Sequence, residues 1–220
     1  MAARFLAEPD FVRLLRFWVD RRGERSVPEW DGDLGQVPHS LLPNLVITER
    51  RPDPVYRYVG ADDVRTFGSD PTGRRVYEEV LRGAHSRYIR SVAEDTLARR
   101  APIFSAAIYR TREDVLTGLR LLVPFTDPGE TVTRFIFSLQ LFAGTPVNLT
   151  ELAHSGFVDE LERRLVVGAP EVCSRLEQAR RYHLLARRIH QDGLARALAA
   201  TAAELVGGAL QALPTFDRQG

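Results

Sequence analysis

The spacing of apolar residues changes near Pro102, and this change separates two groups of predicted elements. Before it, helical spacing dominates, as in Glu8 to Arg22, where Phe11, Leu14, Leu15 and Trp18 recur at intervals of three and four. After it, alternation with a period of two predicts three neighbouring antiparallel strands. These strands are Ile103 to Arg110, Val115 to Phe125 and Thr133 to Phe142.

A predicted hairpin and two helical segments lie between the first helix and these strands. The hairpin pairs Asn44 to Glu49 with Val55 to Val59 across a turn that contains two prolines. Ala61 to Phe67 is a short helix, and Gly68 to Gly73 is a turn rather than a phosphate loop because no lysine follows it. Val76 to Arg100 has helical spacing, with a break expected near Gly83.

Alternation in the last predicted strand distinguishes its two faces. Phe135, Phe137 and Leu139 share one face with Leu141, which indicates a dry core on that side. Arg134, Ile136, Ser138 and Gln140 share the other face, so we expect more polar surroundings there.

The terminal segments are predicted to be helical. The N-terminal helix either covers the domain and buries Trp18 or forms a dimer contact. We expect Trp30, in the polar linker that follows, to fill a neighbouring apolar surface. After residue 143, helices are predicted for Leu149 to Val167, Glu171 to Gln191 and Leu194 to Leu213. These helices pack on the sheet or each other, pair with a second copy or a partner helix, or lie on a membrane surface.

Composition narrows the class of protein. The 220 residues carry 30 arginines, no lysine and 29 acidic side chains, so the net charge is +1, which argues against nucleic acid as the main partner. The single cysteine, Cys173, excludes an intramolecular disulfide and fits a reducing cytoplasm. The sequence shows no signal peptide and no apolar run of membrane-spanning length.

Motifs for catalysis and metal binding are missing from the sequence. Nucleophile-elbow, zinc-protease, P-loop and dinucleotide-binding patterns do not occur, so we expect no enzymatic activity and no metal site. His183 and His190 lie too far apart along one predicted helix to share an ion. His39 and His154 have no acidic or cysteine neighbours at ligand spacing.

The chain from about Trp30 to Phe142 resembles the PAS family, in particular small bacterial proteins in which this domain makes up most of the chain. The resemblance lies in Leu41-Leu42-Pro43, in Tyr56-Arg57-Tyr58-Val59-Gly60, and in Gly68, Asp70, Thr72 and Gly73. It implies an α+β fold with a five-stranded antiparallel sheet, helices wrapping one face and an internal pocket for a signal molecule. The expected organisation is 1–29 helix and linker, 30–143 PAS-like domain and 144–220 helical extension.

Five polar side chains are predicted to face this pocket, because each can hydrogen-bond a ligand inside an apolar cavity. They are Tyr58, Tyr88, Ser105, Tyr109 and Ser138. In the resemblance, His85 occupies the place of the proximal ligand of haem-binding relatives, but a helix-surface role is the favoured interpretation. Flavin photosensors of this fold need a cysteine on the helical side of the pocket, and Cys173 lies in the tail instead.

The sequence therefore predicts a cytoplasmic, non-catalytic sensory or regulatory protein of the PAS type. We expect it to bind a small-molecule signal, a signalling partner protein, or both, and to form a homodimer. The alternative is a ligand-free adaptor or dimerisation scaffold that works through its terminal helices. The cofactor and the signal stay unidentified at this level.

Overall fold

The computed structural model describes residues 9–110, 115–127, 132–142 and 157–165, together with residues 178, 200–202 and 204–205 of the tail. Three helices and six strands form the described fold, which confirms the predicted α+β class. They are α1 (Pro9–Arg22), β1 (Val46–Glu49), β2 (Val55–Val59), α2 (Ala61–Phe67), α3 (Gly83–Arg99), β3 (Ile103–Arg110), β4 (Val115–Thr126), β5 (Val132–Phe142) and β6 (Phe157–Leu165).

All six strands form one sheet in the order β2-β1-β5-β4-β3-β6, and all neighbouring strands are antiparallel. The first five strands, with α2 and α3 between β2 and β3, make the PAS-like arrangement that the sequence predicts. A sixth strand extends the predicted five-stranded sheet beyond residue 143.

The helix predicted for Leu149 to Val167 is wrong over residues 157–165, which form β6 against β3. Phe157, Leu161 and Leu165 are spaced by four residues, and this spacing suits one side of a helix as well as one face of a strand. Pairing with the free edge of β3 decides between the two. Residues 178, 200–202 and 204–205 are helical, and the rest of the two later predicted helices lies outside the described residues.

The sheet buries both of its faces in separate hydrophobic clusters. We call the face that carries Phe104, Leu121 and Ile136 the outer face, and the face that carries Tyr109, Leu122 and Phe137 the inner face. The expectation of a more polar side on β5 is wrong for the described side chains near its centre. Ile136 and Ser138 have no exposed surface there, because the N-terminal helix covers the outer face.

Helix α1 covers the outer face, which confirms the prediction of a covering helix that buries Trp18. The Trp18 side chain is 1 % exposed, and its Nε1 donates a 2.8 Å hydrogen bond to the Pro124 carbonyl of β4. Trp30 packs against an apolar surface, as predicted. The centre of its ring lies 6.5 Å from that of Phe17 and 5.5 Å from that of Phe125. Ala202 of the tail is buried in the same cluster. A helical part of the tail therefore packs on the sheet.

The segment from Val76 to Arg99 covers the inner face in two pieces. Val76–Val80 forms one wide, π-type turn, and α3 begins at Gly83, so the predicted break is confirmed. In the loop before it, Asp70 accepts hydrogen bonds from the Thr72 backbone and hydroxyl at 2.9 and 2.6 Å. This loop is the turn that the sequence predicts.

Gly60 sits where β2 meets α2 and leaves no room for a side chain. Its φ of −64° suits any residue, yet an added Cβ would come within 3.0 Å of the backbone carbonyls of Leu42 and Pro43. Gly68, at the other end of α2, is constrained by its backbone angle and not by its neighbours. Its φ is 71°, which L-residues rarely adopt, but no atom lies within 4 Å of an added Cβ.

We therefore expect Gly60→Ala to lower the free energy of unfolding by about 3 kcal/mol or more, because backbone must move. Gly68→Ala should lower it by only about 1–2 kcal/mol, the strain of a left-handed residue. Urea denaturation of both variants measures the difference. Equal effects would show that Gly60 is not sterically constrained.

Candidate functional site

A cavity lies between the inner face of the sheet and α3. Most of its wall is apolar and comes from the wide turn, α3 and the central strands, including Val76, Leu81, Ile89, Val92, Leu122, Phe135, Phe137 and Leu139. Five polar side chains complete the wall: Thr48, Tyr56, Tyr77, His85 and Arg120. About 40 Å³ is open to the centres of water-sized molecules. This corresponds to roughly three waters at about 10–15 Å³ each.

Arg120 is the one arginine among the described residues of this wall, and it is 5 % exposed. It projects from the inner face of β4 opposite Ser105 of β3. Among the described residues, neither its Nε nor its Nη1 has a hydrogen-bond partner. Burial of an uncompensated ion costs several kcal/mol. The guanidinium carbon lies 5.4 Å from the Phe137 ring centre and 6.0 Å from that of Tyr88, and these cation–π contacts offset only part of that penalty.

Aromatic side chains from α3 and β3 meet beside this guanidinium. The His85 ring centre lies 4.8 Å from that of Tyr109, and the Tyr88 ring stands edge-on to Tyr109 at 6.1 Å. Burial raises the pKa of the Tyr109 hydroxyl. The charge of Arg120 and the hydrogen bond between Tyr109 and Arg120 act in the opposite direction and lower this pKa. Burial likewise raises the pKa of Tyr88, while Arg120 and a contact with Ser105 act in the opposite direction. Both hydroxyls are therefore neutral donors at physiological pH.

The predicted ligand-binding residues divide between the two faces of the sheet. Tyr88, Ser105 and Tyr109 belong to the inner side, next to Arg120 and behind the cavity wall. Ser138 pairs with Leu121 on the outer face, away from the cavity. Tyr58 also packs toward the outer cluster, and its hydroxyl donates a 3.0 Å hydrogen bond to the Leu42 carbonyl. The structure does not bring these five side chains together.

A β-bulge explains the position of Tyr58. The register between β1 and β2 shifts so that Ile47 pairs with Tyr58 and Thr48 pairs with Tyr56, which leaves Arg57 as an extra residue. Tyr58 therefore joins Ile47 on the outer face, and Tyr56 joins Thr48 in the cavity wall. Simple alternation places both tyrosines on one face, because a single inserted residue is invisible in the sequence pattern.

Sequence reasoning missed Arg120, Tyr56 and Asp63, and it misjudged His85. Arg120 had a usable signal, because it is a lone charge inside the apolar strand segment Leu119 to Phe125. His85 is 3 % exposed and lines the cavity, so the favoured helix-surface interpretation is wrong. Its position on the inward side of α3 depends on where that helix begins, which the break after the wide turn determines.

Asp63, at the start of α2, is a buried acid with an unusual pKa. Its side chain is 6 % exposed, and Oδ2 has no hydrogen-bond partner within the described part of the chain. Burial raises the pKa of this carboxyl to about 7, with a further contribution from Asp62 and an opposing one from Arg120. The acid is therefore largely protonated below neutral pH and does not reliably neutralise Arg120.

The cavity does not fit a haem or a flavin in this packing. Pockets for drug-sized ligands enclose about 300–1,000 Å³, roughly ten times the space found here. Cys173, the chain's single cysteine, lies outside the described residues. We therefore derive no chemistry through either group.

The described residues contain no group of three or more histidine, cysteine or acidic side chains that could hold a metal ion. No described helix has the length and apolar character needed to span a membrane.

No protein-family model and no curated protein sequence matches this chain. Among solved structures it is similar to the LOV protein of Rhodobacter sphaeroides (16 % identity, TM-score 0.37, 76 % of this chain and 88 % of that one). It is also similar to the light state of the blue-light photoreceptor Aureochrome1 LOV (15 % identity, TM-score 0.37, 51 % of this chain and 91 % of that one). A third similar structure is the PAS domain of Bordetella pertussis BvgS (17 % identity, TM-score 0.33, 52 % of this chain and 81 % of that one). At these values the PAS-like assignment rests on strand order and helix placement.

We expect Asp63→Asn to change how stability depends on pH. Because the native pKa of about 7 exceeds the unfolded value near 4, the native state binds more protons between these values. Stability of the natural protein should therefore fall, by on the order of 3 kcal/mol, as pH rises from about 4 to 7. Asp63→Asn should remove this loss and be the more stable form at pH 8.

Urea denaturation at several pH values measures both curves. Asp20→Asn, at an exposed position of α1 that does not contribute to the raised pKa of Asp63, is the control and should keep the natural slope. An unchanged slope in Asp63→Asn would show that this carboxyl titrates normally.

Proposed function

We propose that this protein is a PAS-type sensory or regulatory module that binds a small molecule between its sheet and α3. In this proposal, residues 30–143 form the sensing domain and residues 144–220 carry the output. The module works without catalysis, as a cytoplasmic homodimer, and passes its state to a signalling partner protein. It has no role in nucleic-acid binding, in keeping with its net charge of +1.

One observation carries the proposal: α3 lines the cavity and also contacts β6, the first strand of the C-terminal extension. His85, Ile89 and Val92 of this helix face the cavity. Arg163 of β6 forms an ion pair with Asp95 of α3, and its Nη2 donates a 2.7 Å hydrogen bond to the Ser91 hydroxyl. A ligand that displaces α3 would therefore act directly on β6.

The geometry of this contact suits a relay. The Arg163 side chain is 12 % exposed, and it also forms an ion pair with Glu160 of its own strand. In this pair, Nη2 of Arg163 donates a 3.0 Å hydrogen bond to Oε2 of Glu160. Partly buried, multiply bonded ion pairs hold a defined geometry better than single surface pairs do. A change in the position of α3 must therefore move Arg163 or break these bonds.

The ligand-free adaptor is the alternative, and the outer face favours it. There α1 and the tail residue Ala202 share one hydrophobic cluster, so the first helix and a described part of the tail meet on the same face of the sheet. An adaptor would use this surface and would need no ligand in the cavity.

Ligand retention distinguishes the two functions. Native mass spectrometry of gently purified protein, followed by thermal-shift measurements against a metabolite panel, should find a compound that is retained or raises the melting temperature. A ligand present at about 100 times its dissociation constant adds about 2.7 kcal/mol to stability. No retained compound and no shift across the panel would reject the sensor and leave the adaptor.

We expect Arg163→Met to loosen β6 from α3. The free energy of unfolding should fall by about 1–3 kcal/mol, because Asp95 loses a charged partner. Hydrogen exchange should increase in residues 157–165 and around Ser91. Arg57→Met, which removes a more exposed pair with Glu49, is the control and should cost less than about 1 kcal/mol. Unchanged exchange in β6 would remove the relay from the proposal.

A further inference from the structure

We propose that the cavity binds a short-chain monocarboxylate whose carboxylate is held by the Arg120 guanidinium. This inference rests on the proposed function, because it names the class of small molecule that the sensor takes. It starts from a charge that the protein buries on the cavity wall and that forms no ion pair with a described residue.

The guanidinium has unused capacity for an anion. Nε carries one N–H donor and Nη1 carries two, so three of the five donors of Arg120 lack a partner among the described residues. Within that same part of the chain, Arg120 forms no ion pair. The Tyr109 hydroxyl hydrogen-bonds to the guanidinium, and Arg120 forms part of the cavity wall. A carboxylate matches such planar, charged donors best.

The charge of the site limits the ligand to a single acidic group. Among the described residues that line the cavity, Arg120 is the one arginine, and none is a lysine, aspartate or glutamate. One buried cation balances a monoanion, whereas a phosphate dianion or a dicarboxylate would bury uncompensated charge. A neutral molecule could accept hydrogen bonds from the guanidinium but would leave its charge uncompensated. The single cation therefore selects a monocarboxylate.

The shape of the site limits the rest of the ligand to a short apolar chain. Beyond Arg120 the cavity is surrounded by Leu122, Phe137 and Leu139 of the sheet and by Ile89 and Val92 of α3. The available 40 Å³ corresponds to the space of roughly three waters. The carboxylates from acetate to butyrate are the smallest that carry an alkyl group suited to such a wall. Butyrate needs more than this space, so it would displace α3, as the proposed function requires.

The experiment measures binding of sodium propionate and sodium butyrate to the full chain by calorimetry and thermal shift. Propionamide and butyramide are the neutral probes of equal shape, and sodium chloride and sodium phosphate at equal ionic strength are the inorganic anions. We expect butyrate at about ten times its dissociation constant to raise the melting temperature by about 3 °C, and the amides to have no effect.

Two substitutions assign the binding to the guanidinium. Arg120→Met should weaken butyrate binding at least about 30-fold, because it removes a buried charged partner. Arg87→Met, at an exposed position of α3, changes the net charge equally and should leave binding unchanged. In the natural protein, the Arg120 Nε–H signal in nuclear magnetic resonance spectra should shift on addition of butyrate, a readout that does not depend on folding of a variant.

The outcomes separate this inference from the proposed function. Equal binding of butyramide, or equal shifts with chloride or phosphate, would overturn the monocarboxylate while keeping a ligand-binding cavity. Butyrate binding that survives Arg120→Met, or an unmoved Arg120 signal, would overturn the role of the guanidinium. Failure of the carboxylates, the amides and the metabolite panel together would overturn the sensor itself.

Discussion

A sheet with two apolar faces is the constraint on which this structure depends. Antiparallel sheets often leave one face in water, but here Phe104, Leu121 and Ile136 point one way while Leu122 and Phe137 point the other. Each face therefore needs its own cover. Helix α1 and part of the tail supply the outer cover, and α2, the wide turn and α3 supply the inner one. Helix α1 and the described tail residues Ala202 and Leu205 thus belong to the outer hydrophobic cluster.

The two covers differ in packing and in polarity, and in our proposal this difference separates ligand binding from structural support. The outer cover is dry and closely packed, with Trp18 fixed to β4 by its indole N–H and Trp30 wedged between Phe17 and Phe125. The inner cover leaves a cavity and buries Arg120 in its wall. Conformational change is easier where packing is incomplete, so α3 is the element best suited to respond to a ligand.

Much of the fold followed from the sequence, because periodicity reports which side of an element is buried. The hairpin, the three central strands and the break before α3 were predictable in this way. Three features were not. The bulge at Arg57 moves Tyr58 to the outer face, pairing with β3 makes β6 a strand, and the cover over Ser138 comes from residues more than a hundred positions away. Each depends on contacts between distant segments, which local patterns do not encode. The candidate site was therefore predicted only in part.

The position of β6 also bears on how the molecule avoids self-association through its sheet. At one end of the sheet, the backbone of Tyr56 in β2 is hydrogen-bonded to Gly73 and Arg74, which shield that strand from neighbours. At the other end, β6 is the terminal described strand, and five of its nine residues are charged: Asp159, Glu160, Glu162, Arg163 and Arg164. Charged edge strands resist pairing with strands of other molecules. The charges of β6 thus protect the sheet against edge-to-edge aggregation.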